Sequence, residues 1–128
     1  MWADPVVVRY IGGKPSTREE VWSRMLRYSG LWAFLGFGYW ALEDKASGSF
    51  AGEMGFADFK REIEPSLDSM PELGWALASQ FHGRGYSTEA LRTIVAWGDA
   101  NLAANQTACI INPENLPSLR VAEKLGYR

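Results

Sequence analysis

The chain has 128 residues, a formal net charge of −2 and 47% apolar residues, with six Trp, five Tyr and six Phe. This length and composition suffice to bury a core, so they exclude an intrinsically disordered protein and predict a single domain over residues 1–128. The small net charge, without a block of Lys or Arg, argues against nucleic acid as a partner.

Cysteine content and hydrophobic runs restrict the location of the protein. Cys109 is the only cysteine, which excludes an internal disulfide and fits a reducing cytoplasm. The first residues lack the basic start and long apolar core of a signal peptide, and no apolar run approaches the roughly 20 residues of a membrane span. We therefore expect a cytoplasmic protein without a membrane partner.

The N-terminal half of the chain predicts a helix followed by a β-hairpin. Residues 16–20 (S-T-R-E-E) have the pattern of a capping box, and apolar residues at helical spacing then continue to Gly30. Residues 31–43 are apolar at odd and even positions alike, which is typical of a long strand covered on both faces. A turn at 44–48 and a returning strand over Phe50–Asp58 complete the hairpin.

The C-terminal half predicts two strands that alternate with two helices. A polar stretch over residues 60–71, without clear periodicity, separates this half from the hairpin. The predicted elements are a strand over 72–79, a helix from Ser87 or Thr88 to 103–105, a strand over 107–111, and a last helix that Asn115 caps and Gly126 ends.

Two glycines after the third strand form the most informative motif. Gly83 and Gly85 are spaced G-x-G between an apolar strand and a helical pattern. Glycine lets successive backbone N–H groups converge on an anion, and the start of a helix adds its positive dipole end. The motif predicts a phosphate-binding loop, although a tight turn between strand and helix would use glycines in the same way.

A second motif follows one helix and one strand later. It reads I-N-P-E-N-L-P-S over residues 111–118 and leads into E-K-L-G-Y over 123–127. In this order the two motifs resemble the acetyl-CoA-binding core of the GNAT N-acyltransferase superfamily, whose Q/R-x-x-G-x-G/A signature Gln80, Gly83 and Gly85 fit. Both motifs are most similar to the RimJ/RimL-like branch, which acetylates the N-termini of ribosomal proteins.

This resemblance extends over roughly residues 16–127. It implies an α/β (α+β) fold with a mixed, mostly antiparallel central sheet flanked by helices. The family's first strand and last two strands have no counterpart here, so we expect an N-acetyltransferase domain that is truncated at both ends. An open sheet edge would favour a homodimer.

The resemblance also implies how acetyl-CoA is held as the co-substrate. In the family, the pyrophosphate rests on backbone amides of the glycine loop, and the pantetheine arm pairs with the preceding strand. An asparagine at the start of the last helix contacts the pantetheine or the thiol region. The implied cofactor-binding residues are Trp75, Ala76, Leu77, His82, Gly83, Arg84, Gly85, Tyr86, Ser87, Asn112 and Asn115.

Amide formation from a thioester needs a deprotonated amine, a polarised carbonyl and a protonated thiolate. A strand amide near Leu77 could hold the carbonyl oxygen. Glu72 and Glu53 lie on predicted strands and are the candidate bases, acting through water, although each could be an ordinary strand residue. Many family members place a tyrosine acid where this chain has Ala122. Ser118 is therefore the candidate acid, with water or proximity alone as the alternatives.

We expect, from these features, an acetyl-CoA-dependent N-acetyltransferase that acts on a primary amine, a protein N-terminus in this branch. We expect no metal. Two alternatives remain open: an acetyltransferase for small-molecule amines, such as an antibiotic-modifying enzyme, and a CoA-binding domain or inactive fragment without catalysis. The loop over 60–71 and segments outside the chain would select the acceptor.

Overall fold

The computed structural model describes residues 1–128 as four α-helices around a three-stranded sheet. Both strand pairs are antiparallel, in the order β1-β2-β3. This confirms the predicted α+β class, with an antiparallel sheet flanked by helices. The elements are α1 (Pro5–Val8), α2 (Arg18–Leu35), β1 (Tyr39–Glu43), β2 (Phe50–Ala57), β3 (Glu72–Leu77), a 3-10 helix (Ser79–Phe81), α3 (Tyr86–Asn101) and α4 (Leu116–Lys124).

The first long helix begins as predicted and ends later. Thr17 and Glu20 form the reciprocal capping box. The helix continues past Gly30 to Leu35, where Gly36 adopts a left-handed φ of 76° and donates its N–H to the Trp32 carbonyl. The first part of the strand predicted over 31–43 is therefore wrong. Apolar residues occur on the outer as well as the inner side of α2, which imitates a strand that is covered on both faces.

A short helix precedes α2 and was not predicted. The Asp4 side chain accepts a hydrogen bond from the Val6 N–H at 2.9 Å, and a proline occupies the first helical position. The helix buries Val7 and Val8. Four residues are too few to produce a helical periodicity, so the sequence gives no signal beyond this cap and proline.

The sheet has two different faces. On the core face, Met54, Phe56 and Leu73 pack against Leu91 and Ile94 of α3. The opposite face, called the α2 face here, carries the residues that alternate with these along the strands. It is formed by Tyr39 and Ala41 of β1, Glu53, Gly55 and Ala57 of β2, and Glu72, Gly74 and Ala76 of β3.

The C-terminal half differs from the prediction at two places. Helix α3 begins at Tyr86, without a side-chain cap, because Gly85 is itself the N-cap with a left-handed φ of 78°. The strand predicted over 107–111 is wrong, since the segment forms only one parallel bridge, between Ala108 and Glu72. The cap of α4 is confirmed, since Asn115 accepts from the Ser118 N–H. None of the helices combines the length and apolar character needed to cross a bilayer.

Candidate active site

The outer edge of β3 opens into a gap. The Leu73 N–H donates to the Ala108 carbonyl at 2.8 Å, and the Ala108 N–H donates to the Pro71 carbonyl at 3.0 Å. No backbone hydrogen bond joins β3 to residues 109–111 beyond this point. Because donors alternate between the two edges of a strand, the N–H groups of Trp75 and Leu77 face this gap. An extended substrate could pair with them as a further strand would.

Ala76 differs from its two neighbours in this respect. The next donor of the same parity, the Ala78 N–H, bonds to the Ala51 carbonyl at the start of β2. The Ala76 backbone therefore also faces β2. Of the three strand residues predicted to bind the pantetheine arm, only Trp75 and Leu77 present backbone groups to the open edge.

The glycine loop lies at the end of this edge. Gly83 and Gly85 both have left-handed φ angles, 71° and 78°, and a Cβ added to either would meet no atom within 4 Å. The backbone conformation, and not crowding by the protein, therefore requires glycine, and the space in front of the loop is free. The first N–H groups of α3 have no side-chain cap, so they remain available to an anion.

Two side-chain contacts attach this loop to the sheet. His82 Nε2 lies 2.7 Å from the Leu77 carbonyl oxygen, and the Tyr86 hydroxyl donates to Asp44 Oδ1 at 2.9 Å. Hydrogen bonds from Ser47 and Tyr86 hold the pKa of Asp44 below its ordinary value. The loop is thus tied both to β3 and to the turn between β1 and β2.

Arg84 lies in the exposed loop between the two glycines. Its guanidinium carbon is 5.1 Å from the ring centroid of Tyr86 and 5.9 Å from that of Phe81. No carboxylate forms a salt bridge with it. Its charge is therefore available near the proposed phosphate position.

The α2 face of the sheet holds a polar cluster around Glu53. The Trp2 indole N–H and the Tyr28 hydroxyl both donate to Glu53 Oε1, each at 2.7 Å. The Arg24 guanidinium lies 3.7 Å above the Trp2 ring. Burial raises the pKa of Tyr28, the hydrogen bond that Arg24 donates to its hydroxyl opposes this shift, and Glu53 adds to it. Oε2 of Glu53 has no partner in the protein, so a water or an amine could bind there.

Glu72, the other candidate base, is placed differently. It is buried, and Arg61 donates to both of its oxygens, from Nε to Oε2 at 2.7 Å and from Nη2 to Oε1 at 3.0 Å. The hydrogen bonds with Glu72 raise the pKa of Arg61. A carboxylate that is held in this way has no free oxygen for a proton, which makes Glu53 the more accessible of the two candidates.

The start of α4 brings the predicted asparagines and serine together. Asn112 Oδ1 accepts from the Glu114 N–H at 2.9 Å, and Asn115 Oδ1 accepts from the Ser118 N–H at 3.3 Å. The Ser118 hydroxyl is half-buried and has no partner in the protein. The bridge between Ala108 and Glu72 is parallel, so the chain after Ala108 runs in the same direction as β3. It therefore reaches Asn112 at the end of the gap where the glycine loop lies.

Cys109 follows the bridge at Ala108 and packs against the hydrophobic core. It is half-buried, and burial raises its pKa to about 12. A thiol that keeps its proton at neutral pH is a poor nucleophile. Cys109 is therefore a small packing residue beside the core.

A separate pocket lies away from this edge. It has a volume of about 380 Å³ and is bounded by the end of α2, the start of β3 and the end of α3, with Leu35, Pro71, Trp97 and Leu102 among its lining residues. This is the opposite end of the sheet from the glycine loop. Its lining offers one carboxylate, Asp58, and no histidine or cysteine, so we place the candidate site at the open edge of β3.

Sequence reasoning did not identify three polar residues of this region as candidate site residues: Tyr28, Tyr39 and Asp44. Tyr28 bonds to Glu53 and Asp44 bonds to Tyr86, both distant in the chain, and the Tyr39 ring stacks on that of Tyr28. Tyr28 and Tyr39 read as core aromatics, and Asp44 reads as an ordinary turn residue. No local pattern distinguishes them.

The antiparallel sheet, the open edge of β3 and the glycine loop at the start of α3 together form a site that could hold an extended, phosphate-bearing molecule. Residues 1–128 match the family model described as an acetyltransferase (GNAT) domain. The chain belongs to this family and is a GNAT N-acetyltransferase.

Relatives and solved structures agree with this assignment. The Bacillus subtilis protein YkkB is 33% identical over 98% of this chain and 70% of its own length. A structure described as a GnaT-family acetyltransferase from Bordetella pertussis has a TM-score of 0.84 and 35% identity, covering 96% of this chain and 75% of that one. An acetyltransferase from Agrobacterium tumefaciens has a TM-score of 0.81 and 27% identity, covering 98% and 68%.

Proposed function

We propose that this protein transfers the acetyl group of acetyl-CoA to a primary amine, with a protein N-terminus as the acceptor. The observation that carries the donor assignment is the open edge of β3, which leads directly to the glycine loop and the uncapped start of α3. The pyrophosphate would bind to the backbone amides of residues 82–87. The pantetheine arm would pair with Trp75 and Leu77, and Asn112, Asn115 and Ser118 would line the other side of the gap.

The reaction follows from these positions. The amine nitrogen attacks the thioester carbon, a C–N bond forms, the C–S bond breaks, and the proton that the amine loses is balanced by one that the thiolate gains. A backbone N–H of the open edge would hold the carbonyl oxygen. Glu53 would accept the amine proton through a water, because one of its oxygens is free. Ser118 would donate a proton to the departing thiolate. Glu72 would act as the base only if Arg61 released it.

The acceptor is proposed from the motifs. The glycine loop and the segment from Asn112 to Ser118 are most similar to the RimJ/RimL-like branch. Structures below 25% identity include a ribosomal-protein-S5-alanine acetyltransferase from Vibrio fischeri, with a TM-score of 0.67, and an aminoglycoside acetyltransferase in complex with coenzyme A, with a TM-score of 0.77. They support the fold alone, so a small-molecule amine remains the second candidate.

Donor binding can be tested by calorimetric titration of acetyl-CoA. In Gly85→Val, a β-branched residue replaces a left-handed glycine of the loop, and we expect the Kd to rise at least about tenfold. Gly12→Val is the matched control, because Gly12 also has a left-handed φ, 80°, and open space around it, but lies outside the site. Equal affinities in the wild type and Gly85→Val would contradict the proposed loop.

Turnover can be tested by measuring thiol release from acetyl-CoA. Peptides that begin with Ala or Ser would be compared with an aminoglycoside and with phosphinothricin at equal concentrations. Faster release with peptides supports the proposed acceptor, and faster release with a small amine supports the second candidate. Binding of acetyl-CoA without release by any amine would favour the CoA-binding domain without catalysis.

A further inference from the structure

The Tyr39 side chain reaches across the sheet to β3. Tyr39, Gly55 and Gly74 are paired in register on the three strands and lie on the α2 face. A Cβ added to Gly74 would overlap the Tyr39 hydroxyl oxygen and come within 3.1 Å of the Cζ atom. The hydroxyl therefore lies directly over the backbone of β3, at a position that only glycine leaves free.

The Tyr39 ring is held rigidly in this position. The Tyr28 ring stacks on it with a centroid distance of 4.7 Å and an interplanar angle of 17°. The Trp32 indole N–H donates to the Tyr39 carbonyl at 2.9 Å, which fixes the backbone from which the ring extends. Such support orients a polar group well when it must meet a substrate.

The hydroxyl itself has no hydrogen-bond partner in the protein. Neither carboxylate of this face accepts from it: Glu53 accepts from Trp2 and Tyr28 through Oε1, and Glu72 accepts from Arg61. Because it is not among the buried unpaired polar atoms, the hydroxyl oxygen is accessible, and a substrate group can reach it. Burial, followed by the charges around it, raises the pKa of Tyr39, so this hydroxyl stays protonated and can act as a donor.

The residue after Gly74 offers the complementary group. The Trp75 N–H is the first backbone donor of β3 that faces the gap, because the Leu73 N–H is taken by Ala108. The Tyr39 hydroxyl thus lies over Gly74, the residue that precedes Trp75, and the Trp75 N–H faces the narrow end of the gap. Two donors at neighbouring positions are the arrangement that stabilises a developing oxyanion.

We propose that the Tyr39 hydroxyl donates a hydrogen bond to the oxygen of the acetyl group of bound acetyl-CoA, beside the Trp75 N–H. This inference rests on the proposed function. Negative charge grows on that oxygen when the amine attacks, so the bond is stronger in the transition state than in the ground state. Loss of one such donor lowers kcat by about 10²- to 10³-fold.

The test uses Tyr39→Phe, which keeps the ring over Gly74 and removes only the hydroxyl. Tyr10→Phe is the matched control, because Tyr10 lies outside the sheet and its hydroxyl has no partner. Acetyl-CoA labelled with ¹³C at the carbonyl is bound to each protein, and the carbonyl band is recorded by infrared difference spectroscopy. Calorimetry gives the Kd, and thermal unfolding checks that each variant is folded.

We expect the carbonyl band of the wild type to lie at lower frequency than that of Tyr39→Phe, with Kd values within about twofold of each other. Where an acceptor is found, kcat should fall in Tyr39→Phe and not in Tyr10→Phe. An identical carbonyl band in the wild type and Tyr39→Phe would overturn the inference and leave the proposed function intact. Failure of the wild type to bind acetyl-CoA would overturn both.

Discussion

Arg61 supplies both hydrogen bonds to the only buried charged residue of the chain, Glu72. Replacing Arg61 with Met keeps an unbranched apolar stem and removes both hydrogen-bond donors. The buried Glu72 carboxylate then loses both of its hydrogen-bond donors. We expect this substitution to destabilise the fold far more than the loss of an ordinary surface charge.

The magnitude follows from the exposure of the two partners. Breaking a buried ion pair by removing one partner costs about 3–5 kcal/mol. The Arg61 side chain is 41% exposed, against 9% for Glu72, so water screens the pair and can reach the carboxylate in the variant. We therefore expect a loss of about 2–3 kcal/mol of unfolding free energy, or roughly 6–15 °C in Tm for a chain of this size.

Urea unfolding at pH 7 is the assay, with two comparison variants. Lys60→Met breaks the neighbouring Lys60–Asp58 pair, whose lysine side chain is 78% exposed, and should leave stability nearly unchanged. Arg61→Met combined with Glu72→Met replaces the whole pair by apolar groups and should recover most of the loss.

Two results would refute the reasoning. If Arg61→Met were as stable as Lys60→Met, the ion pair with Glu72 would not contribute to the fold. If the double variant were as unstable as Arg61→Met alone, the loss would come from another contact of Arg61. The ring of Phe59, 5.1 Å from the guanidinium carbon, is the nearest such contact.

Three further outcomes are expected. Asp44→Ala should raise the KM for acetyl-CoA severalfold, because Tyr86 loses its acceptor at the start of α3. Asp44→Asn keeps an acceptor oxygen and should leave the KM unchanged. Equal KM values for Asp44→Ala and Asp44→Asn would contradict this. Ser118→Ala should lower kcat by about 10- to 10³-fold with little change in the KM for acetyl-CoA. A rise in KM alone would instead show that Ser118 only contacts the bound acetyl-CoA. Burial raises the pKa of Cys109 from its ordinary value of 9.0 to about 12 in the fold. Its contribution to stability is therefore complete below pH 9 and is lost as the pH rises towards 12. The wild type should lose unfolding free energy between pH 8 and pH 10 in urea, and in Cys109→Ala this loss should be smaller by about 1 kcal/mol.

Local signals in the sequence predicted the parts of the fold that depend on neighbouring residues. The capping box at Thr17 and the cap at Asn115 each involve contacts within a few residues. The pattern failed where a tertiary arrangement decides the outcome. Residues 109–111 diverge from β3 although their composition suits a strand. Residues 31–35 are apolar like a strand but continue α2, which ends only at Gly36.

The donor half of the candidate site was predictable for the same reason. A phosphate-binding loop needs glycines and a helix start next to one another in the chain, and this spacing is visible in the sequence. The reacting centre has no such signature, because its groups come from distant segments. The hydrogen bond from Trp2 to Glu53 spans 51 residues, and the one from Tyr28 to Glu53 spans 25.

This difference explains why two glutamates that look alike in the sequence have different chemical capacities. Glu53 and Glu72 both lie on strands of the central sheet and both face α2. Glu72 receives two donors from a cation, so its charge is neutralised and both oxygens are occupied. Glu53 receives two neutral donors at a single oxygen, which leaves its charge and its second oxygen available. A carboxylate that must take a proton from an amine needs both of these properties, so the partners of each glutamate, and not its place in the chain, decide which one can be the base.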